Sequence, residues 1–157
     1  MNPSDALGAL GYFSHTHLPR IPGRDFAGVV IKGSPDVIGK KVWGTGGAVG
    51  IDRNGGHAEH LTLPESSLSE IPNNLSPEEA GAQTLPYTTA YYSLVSRAQI
   101  KPNEEVLVIG SINTIDFNFE ENKAFLADLK EGFEWKKLTP LPISKETTFS
   151  LSKATEA

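Results

Sequence analysis

Residues 105–110 (EVLVIG) form a strand-like run that ends in a glycine. In a dinucleotide-binding βαβ unit, closely spaced glycines follow such a strand, because a side chain would keep the backbone away from the pyrophosphate. Here residues 111–117 (SINTIDF) follow, and the next glycine is Gly132. The run therefore begins a cofactor-binding motif that the next residues do not complete.

The four histidines are candidates for metal chemistry. His57 and His60 lie three positions apart in a strand-like pattern, where such positions point to opposite faces. His15 and His17 lie in a loop without a nearby third ligand. The chain has no cysteine, which excludes disulfides, cysteine nucleophiles and thiolate zinc sites. We therefore expect no metal site, and a zinc-dependent alcohol dehydrogenase is disfavoured.

The elements that would position this chemistry change in type along the chain. The first 64 residues hold short β-prone pieces divided by glycine, proline and asparagine, after a helical turn near the start. This pattern predicts an irregular β-barrel or sandwich rather than a parallel sheet. The predicted strands cover residues 25–31, 41–43 and 57–63, and the helical turn covers residues 3–10.

The later part of the chain carries helix signals. Ser76 and Glu79 have the spacing of a capping box, so we interpret residues 78–79 as helix capping rather than an acid/base pair. A second helix is predicted over residues 88–97. A third is predicted over residues 121–135, with an apolar stripe. The stripe consists of Phe125, Leu126, Leu129 and Phe133, and Trp43 and Trp135 are predicted to be core or boundary aromatics.

Composition excludes several classes of function. The 157 residues suffice for one domain with a core, and a hydrophobic share of 38% with a mean hydropathy of -0.25 is typical of soluble globular proteins. No apolar run is long enough to span a membrane. The net charge of -5, without a dense basic cluster, argues against a nucleic-acid partner. The first residues lack signal-peptide features, so the expected location is the cytoplasm.

Six short segments, in order, resemble signatures of the medium-chain dehydrogenase/reductase superfamily. The resemblance is to its zinc-free quinone oxidoreductase (zeta-crystallin-like) branch, which has a GroES-like catalytic domain. It implies a fold that is mainly β with helices (α+β), namely a GroES-like irregular β-barrel with flanking helices. The Rossmann sheet is then absent or reduced to one or two strands. The segments are residues 2–5, 18–30, 39–44, 55–60, 75–80 and 86–91.

The resemblance also implies a reaction. Zinc-free members reduce quinones or enones by hydride transfer from NADPH, and the protein supplies orientation and hydrogen bonds. Zinc-dependent members have His and Glu where this chain has Arg24 and Asp25. The resemblance therefore implies NADPH as the cofactor, no zinc, and a small quinone or enone as the substrate.

The same resemblance assigns roles to individual residues. Asn2 matches an asparagine near the nicotinamide and substrate, and an N-cap for the following helical turn is an equal alternative. Tyr12 matches an aromatic near the substrate pocket that could donate a hydrogen bond to an enolate oxygen. A packing or rim role is the alternative for this tyrosine. Thr89, with its neighbour Thr88, matches the threonine that contacts the nicotinamide carboxamide or ribose, and Gly110 stands where the phosphate-binding turn would begin.

Aligning the segments predicts three parts. Residues 1–104 would form a partial GroES-like catalytic domain with linking helices. Residues 105–118 would be a remnant of the first Rossmann strand and a junction. Residues 119–157 would form the C-terminal return segment of the catalytic domain. We therefore expect a truncated reductase-like protein that binds NADPH poorly, if at all.

Two alternatives to a reductase stay open. The chain could be an inactive gene fragment. It could also be a non-catalytic GroES-like binding or assembly module, whose open sheet edges a second copy could complete as a homodimer. The uncovered faces also predict a marginally stable or self-associating protein.

Overall fold

The structure is a computed structural model that describes residues 1–14, 16–108 and 119–141, with the backbone alone for residues 119–122. It has three helices and a small sheet in this part of the chain. A 3-10 turn (Glu65–Ser67) precedes the last strand. Chain order gives α1 (Pro3–Ala9), β1 (Phe26–Val29), β2 (Lys41–Gly44), β3 (Ser69–Glu70), α2 (Pro77–Tyr91) and α3 (Phe119–Glu134).

The sheet is antiparallel, with β2 between β1 and β3. Phe26 pairs with Gly44 and Val29 with Lys41, while Val42 pairs with Glu70 on the other side. The described residues contain no βαβ unit. An α+β fold with an antiparallel sheet and flanking helices is therefore confirmed.

Two predicted strands are wrong over the described residues. Residues 57–63 belong to no strand, and neither do residues 105–108. Backbone pairing of the first segment ends at His57, whose N–H donates to the carbonyl of Pro22 at 3.0 Å. Both segments have β-prone side chains, but a strand also needs a hydrogen-bonded neighbour. The rest of the unfinished turn, including Gly110, lies outside the described residues.

A close contact between two backbone segments requires glycine at two positions. Gly23 has φ of +104°, which favours glycine. A Cβ on Gly55 would lie 2.2 Å from the carbonyl oxygen of Gly23. This contact holds residues 21–23 against residues 55–57 and brings the start of β1 beside the loop that follows β2.

Helix α2 begins at the predicted capping box. The Glu79 N–H donates to Ser76 Oγ at 3.1 Å, and the Ser76 N–H donates to Glu79 Oε2 at 2.8 Å. The helix then continues through Pro86 to Tyr91 and ends in a π-helical turn, Tyr92–Arg97. The two helices predicted here are therefore one continuous helix with a wider last turn.

Helix α3 packs its apolar stripe against the sheet and α2. Phe133 is fully buried, and its ring makes edge contacts with Trp43 and Tyr87 at centroid distances of 6.2 and 5.2 Å. All four stripe residues are buried, as predicted. Trp43 is a core residue, but the prediction for Trp135 is wrong, because it is 63% exposed.

Within the described residues, none of the helices has the length and apolar character needed to cross a bilayer.

Candidate functional site

The Asp25 carboxylate joins three parts of the fold. Its Oδ2 accepts a hydrogen bond from Asn2 Nδ2 at 2.7 Å, just before α1 begins. Its Oδ1 accepts hydrogen bonds from Thr84 Oγ1 at 2.6 Å and from the Leu85 N–H at 2.8 Å, both on α2. Thr45, which follows β2, also donates to this carboxyl group. Asp25 therefore fixes the Asn2 amide relative to the middle of α2.

Burial raises the pKa of Asp25 above its ordinary value of 3.8. Removal of water disfavours the charged carboxylate, and this effect exceeds the opposite effect of the hydrogen bonds from Asn2, Thr84, Thr45 and Leu85. Since donors already occupy both oxygens, Asp25 is suited to orient Asn2 rather than to take a proton from a substrate.

This pKa shift predicts a pH dependence of stability. Since the folded-state pKa of Asp25 is higher than the unfolded-state pKa, the folded protein binds more protons between the two values. The resulting stability is complete below pH 3.8 and is lost as the pH rises through the folded-state pKa. Asp25→Asn carries no titrating group at this position. The free energy of unfolding of the wild type minus that of the variant should therefore fall as the pH rises from about 4 through the folded-state pKa of Asp25.

Urea denaturation at several pH values measures this difference. The exposed Asp36, in the turn between β1 and β2, supplies the matched control Asp36→Asn, which should keep the wild-type profile. Glu65 and Glu70 have lowered pKa values because of hydrogen bonds from Ser34 and Lys40. Both residues are present in all three proteins, so their contributions cancel in the difference between wild type and variant. A difference that stays flat or grows with pH contradicts the shift.

A second carboxylate lies beside the first. Asp5 is buried, and its oxygens accept hydrogen bonds from the backbone N–H of Asn2 at 2.7 Å and that of Arg24 at 3.0 Å. His57 Nε2 lies 3.9 Å from Asp5 Oδ2. Asp5 therefore attaches the first turn of α1 to the residue that precedes Asp25.

The predicted site residues differ in their burial and in their hydrogen bonds. Asn2 precedes α1, as its N-cap alternative requires, and its side-chain amide also reaches Asp25. Thr88 is fully buried, and its hydroxyl donates to the Thr84 carbonyl, one turn earlier in α2. Its neighbour Thr89 is half-buried. Tyr12 is 72% exposed. The catalytic and cofactor-binding roles of these residues stay predictions, and Gly110 lies outside the described residues.

Sequence reasoning missed Asp5 and Thr84, and it treated Asp25 only as a position where a zinc ligand is absent. Thr84 contacts Asp25, and Asp5 contacts Arg24. Both contacts join residues that are far apart in the sequence, so no local pattern reveals them. One weak signal was available: Gln83, Thr84 and Thr88 lie on the buried side of α2, where an ordinary packing helix would carry apolar residues. Buried polar side chains need partners, so such a face indicates a hydrogen-bonded site.

The described residues do not fit a zinc ion. No three His, Cys, Asp or Glu side chains come together in residues 1–14, 16–108 and 119–141 in a way that could hold a metal. Donors from Asn2 and Thr84 occupy both oxygens of Asp25, and the preceding residue, Arg24, is cationic. The resemblance described above implies zinc ligands at these two positions in zinc-dependent dehydrogenases, and neither side chain is suited to that role here.

Fold and site together define a class of protein. Residues 1–73 match the alcohol dehydrogenase GroES-like domain family. The solved structural neighbours of the chain belong to the medium-chain dehydrogenase/reductase superfamily, and its relatives have zinc-type alcohol dehydrogenase-like and quinone oxidoreductase-like names.

Three curated relatives illustrate the similarity. A zinc-type alcohol dehydrogenase-like protein of Schizosaccharomyces pombe is 42% identical over 116 residues, which cover 73% of this chain and 35% of the relative. A quinone oxidoreductase-like protein 2 homolog of Nematostella vectensis is 32% identical, covering 73% and 32%. A 2-methylene-furan-3-one reductase of Solanum lycopersicum is 36% identical, covering 70% and 30%. The chain thus spans about a third of the length of these relatives.

A solved structure supports the same class. The yhdH oxidoreductase from Salmonella enterica, in complex with NADP, superposes with a TM-score of 0.54 and is 32% identical. The match covers 65% of this chain and 33% of that protein.

Proposed function

We propose that this chain carries the substrate side of a zinc-independent reductase that acts on a quinone or an enone. The observation that carries the proposal is the hydrogen bond from Asn2 Nδ2 to Asp25, which holds the amide in one orientation at the start of α1. Asp25 is itself fixed by Thr84 and Leu85 of α2. Relatives named for quinone and furanone reduction support the substrate class.

The site residues have separate tasks in this proposal. Bound NADPH would supply a hydride to the β-carbon of the enone or to the quinone. Asn2, held by Asp25, would orient the reacting groups, so that less entropy is lost on reaching the transition state. The exposed phenol of Tyr12 would donate a hydrogen bond to the oxygen on which negative charge develops. Thr89 would contact the nicotinamide end of the cofactor.

The described residues are better suited to contact the nicotinamide end of NADPH than its phosphate end. Asn2 and Thr89 are not fully buried, whereas the Thr88 hydroxyl is buried and committed to the Thr84 carbonyl. Residues 105–108 form no strand that could lead into a phosphate-binding turn. Without such a turn, several charge-assisted hydrogen bonds to the pyrophosphate are missing. We therefore propose that residues 1–157 bind NADPH weakly.

An NADPH titration tests this proposal directly. The 157-residue chain should bind NADPH with a dissociation constant above about 100 μM, because pyrophosphate contacts contribute a large part of dinucleotide affinity. Fluorescence of the reduced nicotinamide reports the binding. A dissociation constant below about 100 μM would refute weak binding.

Turnover at millimolar NADPH separates weak binding from lack of activity. Oxidation of NADPH with a benzoquinone should exceed the protein-free rate, and Asn2→Ala should lower it, whereas the exposed Asp36→Asn should not. A rate equal to the protein-free control, with NADPH bound, would overturn the reductase proposal.

A further inference from the structure

A cleft of about 570 Å³ opens beside β1, and neither Asp25 nor its hydrogen-bond donors are among the residues that line it. It lies between β1 with its extension to Gly33 on one side and residues 58–63 on the other. The lining is largely apolar. Its aliphatic members include Val29, Val30, Ile31, Val42, Leu61 and Leu63.

Hydrogen bonds join the two chain segments just beyond each end of the cleft walls. At one end, the Gly56 N–H donates to the Gly23 carbonyl at 2.8 Å. At the other end, the Ser34 N–H and hydroxyl donate to the Glu65 carboxylate at 2.7 and 2.9 Å. Between these contacts, the described structure has no backbone hydrogen bond joining residues 58–63 to β1. The walls thus run side by side in the same direction without pairing.

The wall formed by β1 presents an open sheet edge. The Val30 N–H donates to the Lys40 carbonyl, on the side of β2. In an antiparallel pair, successive residues alternate between the two edges, so the backbone N–H and C=O of Val29 and Ile31 face the cleft. An unpaired edge of this kind accepts an additional strand.

The chain also exposes a segment with the properties of a strand that lacks a partner. Val106, Leu107 and Val108 are 47%, 84% and 66% exposed, although their side chains are apolar. Two of the three are β-branched, and the segment belongs to no helix or strand. Three consecutive exposed apolar residues are unfavourable in water unless another surface covers them.

We propose that residues 105–108 of a second copy of this chain add as a strand in the cleft beside β1. Charge fixes the direction. Lys32 lines the cleft where β1 ends, and Glu104 and Glu105 precede the apolar residues of the added segment. An antiparallel strand places these carboxylates next to Lys32, while Glu65 at that end is already bound to Ser34.

The geometry makes the exchange reciprocal. The added strand is antiparallel to both walls, so its backbone can pair with β1 and with residues 58–63. Each copy offers this cleft and this exposed segment, so a twofold-symmetric dimer can satisfy both copies. This association requires neither cofactor nor substrate, and it therefore stands or falls separately from the reductase proposal.

Sedimentation of the full chain over a range of concentrations tests the association. Wild type should form dimers as the concentration rises. Leu107→Lys should raise the dimer dissociation constant at least about tenfold, because an ammonium group would replace a leucine in an apolar cleft. Leu10→Lys is the matched control, since Leu10 is 73% exposed and lies outside the cleft, and it should dimerise as wild type does. Wild type that stays monomeric at every concentration overturns the proposal.

Disulfide trapping locates the contact without depending on the lysine variant. The chain has no cysteine, so Leu61→Cys and Leu107→Cys each introduce a single thiol. Mixed under oxidising conditions, the two variants should form a cross-linked heterodimer faster than either variant cross-links with itself. Circular dichroism confirms that each variant is folded. Equal cross-linking in the mixture and in the separate variants overturns the assignment of residues 105–108 to the cleft.

Discussion

Replacing Asp25 with alanine should lower the free energy of unfolding by about 3 kcal/mol or more. The change removes the acceptor of Asn2 Nδ2 and of the Leu85 N–H, and it leaves the Thr84 hydroxyl with the Gly44 carbonyl as its remaining acceptor. Each buried donor left without a partner costs about 1–3 kcal/mol. A domain of this size has a total stability of about 5–15 kcal/mol, so the loss is large. Urea denaturation followed by circular dichroism measures it.

The size of this effect follows from the position of Asp25. The residue lies directly before β1, and its partners lie at the start of α1 and in the middle of α2. The Thr84 hydroxyl also lies 3.1 Å from the Gly44 carbonyl, its alternative acceptor, so the same network extends to the end of β2. Loss of one carboxylate therefore weakens the attachment of two helices to the sheet.

Comparison with Asp36→Ala isolates the network from the general effect of removing an acidic residue. Asp36 is exposed in the turn between β1 and β2, and its replacement should change the free energy of unfolding by less than about 0.5 kcal/mol. Equal stability of Asp25→Ala and Asp36→Ala would show that the buried hydrogen bonds contribute nothing.

The helices could be predicted from the sequence because their signals are local. The capping box at Ser76 and Glu79 involves residues three apart. The stripe of α3 repeats at helical spacing and is buried on a single face. Even so, local signals placed a boundary inside α2 that the structure does not have. The regular α-helix runs without a break to Tyr91, where it changes into the π-helical turn.

The strands and the site could be predicted only in part, because they depend on distant partners. Residues 57–63 have the composition of a strand, but β1 pairs with β2 instead. Three donors to Asp25 are Asn2, Thr84 and Leu85, which lie 23, 59 and 60 positions from it in the sequence. Nothing in the local sequence specifies these contacts. The family signatures named Asn2 as a site residue and Asp25 only as a position that lacks a zinc ligand, and they gave no sign that the two side chains touch.

Replacing Phe133 with alanine should destabilise the protein by about 3–5 kcal/mol. The side chain is fully buried between Trp43 of β2 and Tyr87 of α2, and both rings meet it edge-on. Alanine removes both ring contacts. It also leaves a cavity at this junction, because the backbone of α3 is held in place and cannot move to fill it. That backbone is fixed by Asn74 Nδ2, which donates to the Phe133 carbonyl at 2.7 Å.

Trp135, the aromatic residue directly after α3, provides the control for this prediction. Trp135 is two positions away and 63% exposed, and its ring contacts only the Lys137 ammonium at 4.7 Å among the described aromatic and cationic contacts. Trp135→Ala should therefore cost less than about 1 kcal/mol, as expected for an exposed cation–π pair. If both variants unfold at the same urea concentration, α3 does not share a core with the sheet. A large difference between them instead supports the prediction that residues 119–157 form the return segment of the catalytic domain, because only a shared core makes the buried ring costly to remove.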